Sequence, residues 1–246
     1  MTLFKLSIVL ILIIRAKTQN FTCDSLFNTS DNKSFVSLPK LETIQRKDIV
    51  TCLVHLGKEP LPSLEANYIW HSIKIFYGDV ANIPESILAT LQWITPAIPA
   101  EEIYNITLGS IDVIENFGKD YGLSEDQLTA VADRVRDDFK ELEDYTCYDL
   151  VALKQILCAF NGNEIERIHA KAYKAAFVEI GELKRCSTEV LQKFVKLATD
   201  SSAFGPPDYW DNVVLSSIGV LGEYLPKKIQ DKISKAKKEM KRFLTA

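Results

Sequence analysis

The stretch SEDQLTAVADRVRDDF, residues 124–139, decides the fold class of this chain. Ser124 and Gln127 form a capping box, in which the hydroxyl and the amide side chain satisfy each other's otherwise unpaired helix N–H groups. The apolar residues that follow recur at three- and four-residue steps, at Leu128, Val131, Val135 and Phe139. This spacing predicts an amphipathic helix that begins at Ser124.

The same periodicity extends in both directions, and the sequence contains no convincing pair of strands. Proline starts and glycine ends mark the predicted helices. On the N-terminal side there are two short helices between Leu53 and Phe76, one from Pro84 to Ile94 and one from Pro99 to Gly118. On the C-terminal side helices are predicted at 148–160, 169–183, 187–199, 207–225 and 226–244. The predicted fold is all-α.

A weak internal echo runs through these helices. Leu108-Gly109, Ile180-Gly181 and Ile218-Gly219 each place glycine after a bulky apolar residue. The spacing of Ser124 and Leu128 also matches that of Ser187 and Leu191. Such echoes favour a superhelical array of short helices, in which each unit buries its apolar face against its neighbours, over a closed bundle.

Residues 1–18 have the pattern of a signal peptide: Lys5, an apolar run from Leu6 to Ile14, and then polar residues. This largely apolar run of nine residues spans only about half of a bilayer, for which roughly 20 are needed, so translocation and removal are favoured over a retained anchor. We expect cleavage near Ala16 and Thr18. A polar leader at 19–38 and one helical domain at 39–246 would remain, and the protein would be secreted.

Four N-glycosylation sequons support export, at Asn20, Asn28, Asn32 and Asn105. The first three crowd the leader that follows the signal peptide. We therefore predict a sugar-bearing N-terminal segment. For Asn105, an unmodified asparagine is the equally weighted alternative.

The chain contains five cysteines, so at least one is free or pairs with another chain. If residues 148–160 form one helix, Cys147 and Cys158 lie about 16 Å apart and cannot pair with each other. We favour a disulfide between Cys158 and Cys186, and then one between Cys23 and Cys52. The unpaired cysteine would allow a disulfide bond to a second chain, so a disulfide-linked oligomer is a further possibility.

The formal net charge is −4, and removal of Lys5, Arg15 and Lys17 with the signal peptide would take it to −7. This charge argues against nucleic acid as a partner. The segment from Pro226 to Ala246, however, carries eight basic and two acidic residues.

The predicted partner surface combines this basic segment with an aromatic residue before it: Trp210, Lys227, Lys228, Lys235 and Lys238. For Trp210, a core position is the almost equally weighted alternative. The segment has an apolar stripe at Ile229, Ile233, Ala236, Met240 and Phe243. Through it the helix could contact an anionic membrane or a glycan. The favoured alternative is a terminal helix whose stripe is packed and whose lysines are in water.

Motifs of catalysis and cofactor binding are missing from the sequence: it has no Gly-x-Ser-x-Gly elbow, phosphate-binding loop or dinucleotide fingerprint. His55, His71 and His169 have no metal-ligand spacing. We expect no enzyme activity, no metal and no cofactor.

Between Leu150 and Ile233 the chain resembles the mesothelin, stereocilin and otoancorin family. The matching pieces are Ile156-Leu157-Cys158-Ala159-Phe160, Glu164-Ile165-Glu166-Arg167-Ile168, Leu183-Lys184-Arg185-Cys186-Ser187 and Ile218-Gly219-Val220-Leu221-Gly222. The resemblance implies a right-handed, armadillo-like superhelix that serves adhesion. The C-terminal residues 237–246 lack the hydrophobic tail that directs a GPI anchor, so a soluble secreted form is expected.

The predicted function is extracellular binding or adhesion, between cell and matrix or within the matrix, through protein or glycan partners. The first alternative is a structural component of an extracellular gel or mineralised matrix. The second is a carrier in which Trp70, Phe76 and Trp93 line a cavity for a small apolar ligand, although core positions are more common for such residues.

Overall fold

The computed structural model describes residues 22–26 and 35–244 of the chain. All the regular structure in these residues is helical, and no strand occurs among them, so the prediction of an all-α fold is confirmed.

Fourteen α-helices follow one another in the described residues. In chain order they are α1 Leu38–Leu41, α2 Arg46–Thr51, α3 Leu53–Leu56, α4 Ser63–Tyr77, α5 Glu85–Leu88, α6 Ala100–Ile103, α7 Ile111–Gly118, α8 Glu125–Asp138, α9 Cys147–Leu153, α10 Gly162–Arg167, α11 Ala170–Gly181, α12 Thr188–Thr199, α13 Asn212–Ser217 and α14 Lys227–Leu244.

Seven 3₁₀ helices lie before and between them. They are η1 Cys23–Leu26, η2 Val80–Asn82, η3 Gln92–Ala97, η4 Leu142–Asp144, η5 Lys154–Ala159, η6 Pro207–Tyr209 and η7 Gly219–Tyr224.

Capping residues explain where several helices begin. The predicted capping box of Ser124 and Gln127 is confirmed at the start of α8. The same arrangement joins Thr146 to Asp149 before α9. In each case a side-chain oxygen accepts a hydrogen bond from an N–H group that has no partner within the helix.

The prediction of one helix at 148–160 is wrong. Helix α9 ends at Leu153, and the chain turns at Lys154, whose φ is 36°, into η5. This turn allows Ile156 and Leu157 to be fully buried. Periodicity could not reveal the break, because a lysine in the left-handed region has no sequence signature.

Three other long helices of the prediction are also divided. The helix predicted from Pro99 to Gly118 splits into α6 and α7, because the Leu108 N–H donates to the Asp138 carboxylate of α8 (2.9 Å) instead of continuing a helix. The helix predicted at 207–225 divides into η6, α13 and η7, with breaks before Asn212 and at Gly219, whose φ is 63°. The helix predicted from Pro84 to Ile94 ends at Leu88, and Gln92, with a φ of 51°, opens η3.

One continuous apolar core runs from Leu26 to Ala236. Helices that pack on each other are near neighbours along the chain, as α7 and α9, α9 and α11, and α10 and α12 show. Contacts of this kind order the helices in space much as they are ordered in sequence.

Two disulfides join neighbouring parts of this succession. Cys23 pairs with Cys52 and Cys158 with Cys186, with Cα atoms 5.4 and 4.5 Å apart. These are the two pairings that the sequence favoured. Cys147 is free and partly exposed. The argument that separated Cys147 from Cys158 assumed one helix and was wrong in that respect, although the two cysteines are indeed not bonded to each other.

Candidate partner-binding surfaces

Trp210 does not belong to an exposed partner surface, so that prediction is wrong. Its side chain is only 7% exposed, and its ring packs edge-on against that of Phe204, with the ring centroids 6.0 Å apart. The indole N–H donates to the Gly205 carbonyl at 2.9 Å. The indole therefore fixes the turn before α13, and the neighbouring Tyr209, which is 85% exposed, is the aromatic residue that faces solvent.

The predicted basic residues all lie on α14, in two different environments. Lys227 pairs with Asp231 at 3.7 Å, and Lys228 pairs with Asp208 at 2.9 Å. Lys235 and Lys238 are exposed, and no ion pair involving either occurs in the described part of the chain.

The apolar stripe of α14 faces inward. Ile229, Ile233 and Ala236 are between 3% and 6% exposed, and the helix packs on α13 and η7. Met240, one turn further on, is 38% exposed. The favoured prediction of a packed stripe with lysines in water is therefore confirmed for these residues.

The Asn105 sequon lies in a turn between α6 and α7. Asn105 and Thr107 are exposed, whereas the intervening Ile106 is only 1% exposed. The acceptor side chain is thus accessible while the turn stays anchored in the core. Asn20, Asn28 and Asn32, like the predicted signal peptide at 1–18, fall outside the described residues.

A groove of about 580 Å³ opens beside the Cys158–Cys186 disulfide. It is bounded by the start of α8, the end of η5 and the segment that leads into α12. Leu128 and Phe160 supply apolar surface, and Arg185 supplies a charge at the rim. The groove combines apolar walls with a polar edge, as binding clefts commonly do.

A smaller groove, about 170 Å³, lies beside the start of α4. Trp93 and Tyr121 meet edge to face, with ring centroids 5.1 Å apart, and Pro60 and Pro96 are among the other apolar lining residues. Both aromatic residues are partly buried. This groove is the most aromatic concave surface described for the molecule, and the sequence analysis did not identify it.

The residues of the predicted carrier cavity have three different environments. Trp70 is 2% exposed in the core and donates its N–H to Glu102 at 2.7 Å. Phe76 is 47% exposed to solvent, and Trp93 lines the small groove. The three residues do not enclose a common cavity. The prediction that these aromatic residues belong to the core is confirmed for Trp70 alone, since it is the only one of the three that is fully buried.

A third concave surface, about 440 Å³, is charged but internally neutralised. The hydrogen bond from Lys184 and the nearby Arg185 lower the pKa of the Asp120 carboxyl, and Lys154 pairs with Glu179 at 2.7 Å. The Gln155 amide donates a hydrogen bond to the Lys184 carbonyl and accepts one from the Lys184 N–H. These paired charges hold the segments together and leave little net field for a ligand.

The described residues offer no group of three or more His, Cys, Asp or Glu side chains that could hold a metal ion. The three histidines, His55, His71 and His169, are exposed and dispersed. Across the same part of the chain, no helix is long and apolar enough to cross a membrane.

No protein-family model matches this chain, and no curated protein matches it. The resemblance to the mesothelin, stereocilin and otoancorin family stays a prediction.

Proposed function

We propose that this protein is a secreted, N-glycosylated binding protein that attaches cell surfaces to extracellular matrix or matrix components to one another. The observation that carries the proposal is the pair of disulfides, Cys23–Cys52 and Cys158–Cys186. Disulfides persist in oxidising compartments and are rare in the cytosol. They agree with the signal-peptide pattern at 1–18 and with the exposed Asn105 sequon.

The proposed architecture is a superhelical stack of three units. The three six-residue 3₁₀ helices support it: Lys154 lies 62 residues after Gln92, Gly219 lies 65 residues after Lys154, and each opens its helix with positive φ. The starts of the long helices α4, α8 and α12, at Ser63, Glu125 and Thr188, are separated by 62 and 63 residues.

Close backbone contacts recur with the same spacing. Gly57, Gly118 and Gly181 each lie at a helix end. A Cβ atom at any of them would crowd a backbone carbonyl of a residue that lies shortly before the next of the three six-residue 3₁₀ helices. The contacted carbonyls belong to Leu91, Ala152 with Leu153, and Ile218 with Ser217. Recurrent contacts between sequence neighbours favour an open stack over a closed bundle.

In such a stack the two apolar grooves occupy equivalent positions. Six lining residues of the groove beside α4 stand 62 residues before six of the groove beside α8. The pairs are Leu61 and Leu123, Ser63 and Glu125, Ala66 and Leu128, Asn67 and Thr129, Pro96 and Cys158, and Ala97 and Ala159. A row of equivalent grooves suits multivalent contact with an extended partner, in which weak sites add through effective concentration.

The glycan proposed at Asn105 leaves this row open. Asn105 lines a separate groove with Val80 and Leu88, which shares no residue with the grooves beside α4 and α8. A sugar there would shield another part of the surface. The resemblance to the mesothelin, stereocilin and otoancorin family, which implies adhesion, supports the same function.

A second candidate function is that of a cross-linked structural component of an extracellular gel or mineralised matrix. The observation that favours it is Cys147, which is free and partly exposed at the start of α9. Reducible dimers and recovery of the protein in the insoluble matrix would favour this function. A Cys147→Ser variant would then lose both properties.

The test is attachment of cells to wells coated with the protein purified from culture medium. We expect attachment above uncoated wells, and a decrease for Asn67→Arg combined with Thr129→Arg. These exposed residues lie in the two grooves, 62 residues apart, and the added charges would obstruct both.

The matched control is Thr43→Arg combined with Asn163→Arg, which adds the same charges at exposed sites outside both grooves. The control should attach cells like the unmodified protein. Attachment no higher than in uncoated wells, or an equal loss in both variants, would contradict the proposal.

A further inference from the structure

Charge is distributed very unevenly over this chain. Residues 227–244, which form α14, contain eight basic and two acidic residues, whereas the whole chain has a net charge of −4. The helix therefore carries +6 and the remainder −10. A concentrated basic element on an acidic body produces a local field that attracts polyanions, while the body repels them elsewhere.

The lysines of α14 are only partly neutralised by neighbouring carboxylates. Lys228 and Lys232 share the single carboxylate of Asp208, at 2.9 and 3.5 Å. Lys235, Lys237 and Lys238 are exposed, and none of them forms an ion pair with any other residue in the described ranges. The outward side of the helix thus keeps a positive surface.

The spacing of the basic residues matches an extended partner better than a small one. Lys228, Lys235 and Arg242 are seven residues apart, which places them along one side of the helix, and Lys238 lies within a turn of the last two. The 18 residues of α14 span about 27 Å at 1.5 Å per residue. A small anion could meet one or two of these side chains, whereas a linear polyanion could meet them all.

The packing of the helix argues against a lipid surface. An interfacial helix binds a membrane by inserting its apolar side below the headgroups. Here Ile229, Ile233 and Ala236 are already buried against α13 and η7. These three stripe residues cannot be inserted into a membrane without unpacking the helix, whereas the basic side is exposed, so we expect the binding to be electrostatic.

We infer that α14 is a binding site for a linear acidic polysaccharide of the extracellular matrix. This inference names a partner for the proposed function and rests on it for the extracellular location. The contact itself follows from the exposed lysines, and it can be measured on purified protein whether or not the protein attaches cells.

The experiment is chromatography of the full-length purified protein on immobilised heparin, followed by affinity measurement with soluble heparin at several salt concentrations. We expect retention at physiological salt and an affinity that falls steeply as salt rises, because the contact replaces counterions. Lys235→Glu combined with Lys238→Glu should weaken binding at least about tenfold, since each substitution removes a favourable charge and adds a repulsive one.

The matched control is Lys58→Glu combined with Lys171→Glu, which makes the same change of net charge at exposed positions outside α14, one in the loop before α4 and one on α11. It should bind nearly as well as the unmodified protein. Circular dichroism checks that all variants keep their helix content.

Three results would overturn the inference. The unmodified protein could pass through the heparin column at physiological salt, or both double variants could lose affinity equally, which would show a response to net charge alone. Tighter binding to phosphatidylserine vesicles or to double-stranded DNA than to heparin would assign the helix to a different partner. Failure to attach cells with intact heparin binding would contradict only the proposed function.

Discussion

Tyr173 shows how closely apolar groups fill the interior between α11 and α12. Its ring is fully buried, with centroids 6.1 and 6.4 Å from those of Phe194 and Phe204. Its hydroxyl is a buried polar atom without a hydrogen-bond partner in the described residues, and burial raises the pKa of the phenol. An unpaired buried hydroxyl costs stability.

We therefore expect Tyr173→Phe to leave the free energy of unfolding unchanged or to increase it by up to about 1 kcal/mol. Urea denaturation followed by circular dichroism measures this. Trp210→Phe serves as the contrast, because it removes the hydrogen bond to Gly205 and should lower stability by about 1 to 3 kcal/mol. A clear loss of stability in Tyr173→Phe would show that the hydroxyl has a partner after all.

Asp149 is the opposite case, because its buried carboxylate accepts hydrogen bonds from several neighbouring groups. Burial alone would raise its pKa, but hydrogen bonds from Lys140 and from the Thr146 backbone and hydroxyl outweigh burial and lower it. The carboxylate is thus both the capping-box acceptor of α9 and the partner of Lys140.

Asp149→Asn should lower the free energy of unfolding at pH 7 by about 1 to 3 kcal/mol. Since the folded-state pKa lies below the unfolded one, the stabilisation is complete above the ordinary value of about 4 and is lost as pH falls through the lower folded value. The difference between variant and unmodified protein should therefore shrink in acid. Denaturation midpoints at pH 7 and pH 3 test it, and a difference that grows in acid would contradict this account.

Residue-level prediction from the sequence succeeded where the chemistry is local and failed where it depends on packing. The Ser124 capping box required only local spacing. The two favoured disulfide pairs are also correct, although the helix assumed in the argument about Cys147 and Cys158 is broken. Trp210 was misplaced because the burial of an indole beside a turn depends on Phe204 and Gly205, whose positions the sequence does not reveal. The groove of Trp93 and Tyr121 joins residues from different helices and carries no motif.

At the scale of the elements, helix starts are easier to predict than helix breaks. Ser124 and Ser187 both cap the helices expected after them. The breaks at Gln92 and Lys154 occur in residues that rarely adopt positive φ, so they leave no sequence signal. The internal similarity stays a prediction, and two of the glycines it compares lie in different settings, since Gly109 lies between helices and Gly181 at the end of one.

The close approach of α7 to the end of α9 gives a prediction at this scale. A Cβ atom at Gly118 would overlap the Ala152 carbonyl oxygen and lie 2.7 Å from that of Leu153. Gly118→Ala must therefore push the two helices apart, and we expect a loss of more than about 2 kcal/mol in unfolding free energy.

Gly109→Ala is the control, because the nearest heavy atom to its Cβ would be the Asp138 carbonyl oxygen at 3.5 Å, an ordinary contact. It should change stability by less than about 1 kcal/mol. Both variants are compared by thermal and urea denaturation. Equal behaviour of the two would show that the α7–α9 contact does not constrain the fold.

For the whole molecule, the disulfides matter because they join parts of the chain that lie 28 and 29 residues apart. The Cys158–Cys186 disulfide closes a loop between residues 28 apart, which corresponds to a stabilisation of about 3 to 4 kcal/mol through the unfolded state. Cys158→Ser combined with Cys186→Ser should lose about this amount. Cys147→Ser, which removes a free thiol, should change the unfolding free energy by less than about 1 kcal/mol. A double variant as stable as the unmodified protein would mean that the bond is not formed.

The all-helical architecture could be predicted because helical periodicity is continuous over most of the chain. The superhelical order of those helices stays a proposal, because it rests on the spacing of elements and not on residues that recur. The two grooves, one lined by Leu61 and Pro96 and the other by Leu123 and Cys158, join residues that are distant in sequence, so no sequence pattern predicts them.

The central claim is that this is an extracellular, disulfide-bonded binding protein. The most direct measurement is the intact mass of the full-length product made in secreting eukaryotic cells, before and after removal of N-glycans and before and after reduction. We expect a chain in the medium that begins near Gln19, loses sugar mass and gains four hydrogens on reduction, two for each disulfide. A chain that is retained in the cell, keeps Met1, carries no sugar and is already reduced would contradict the account.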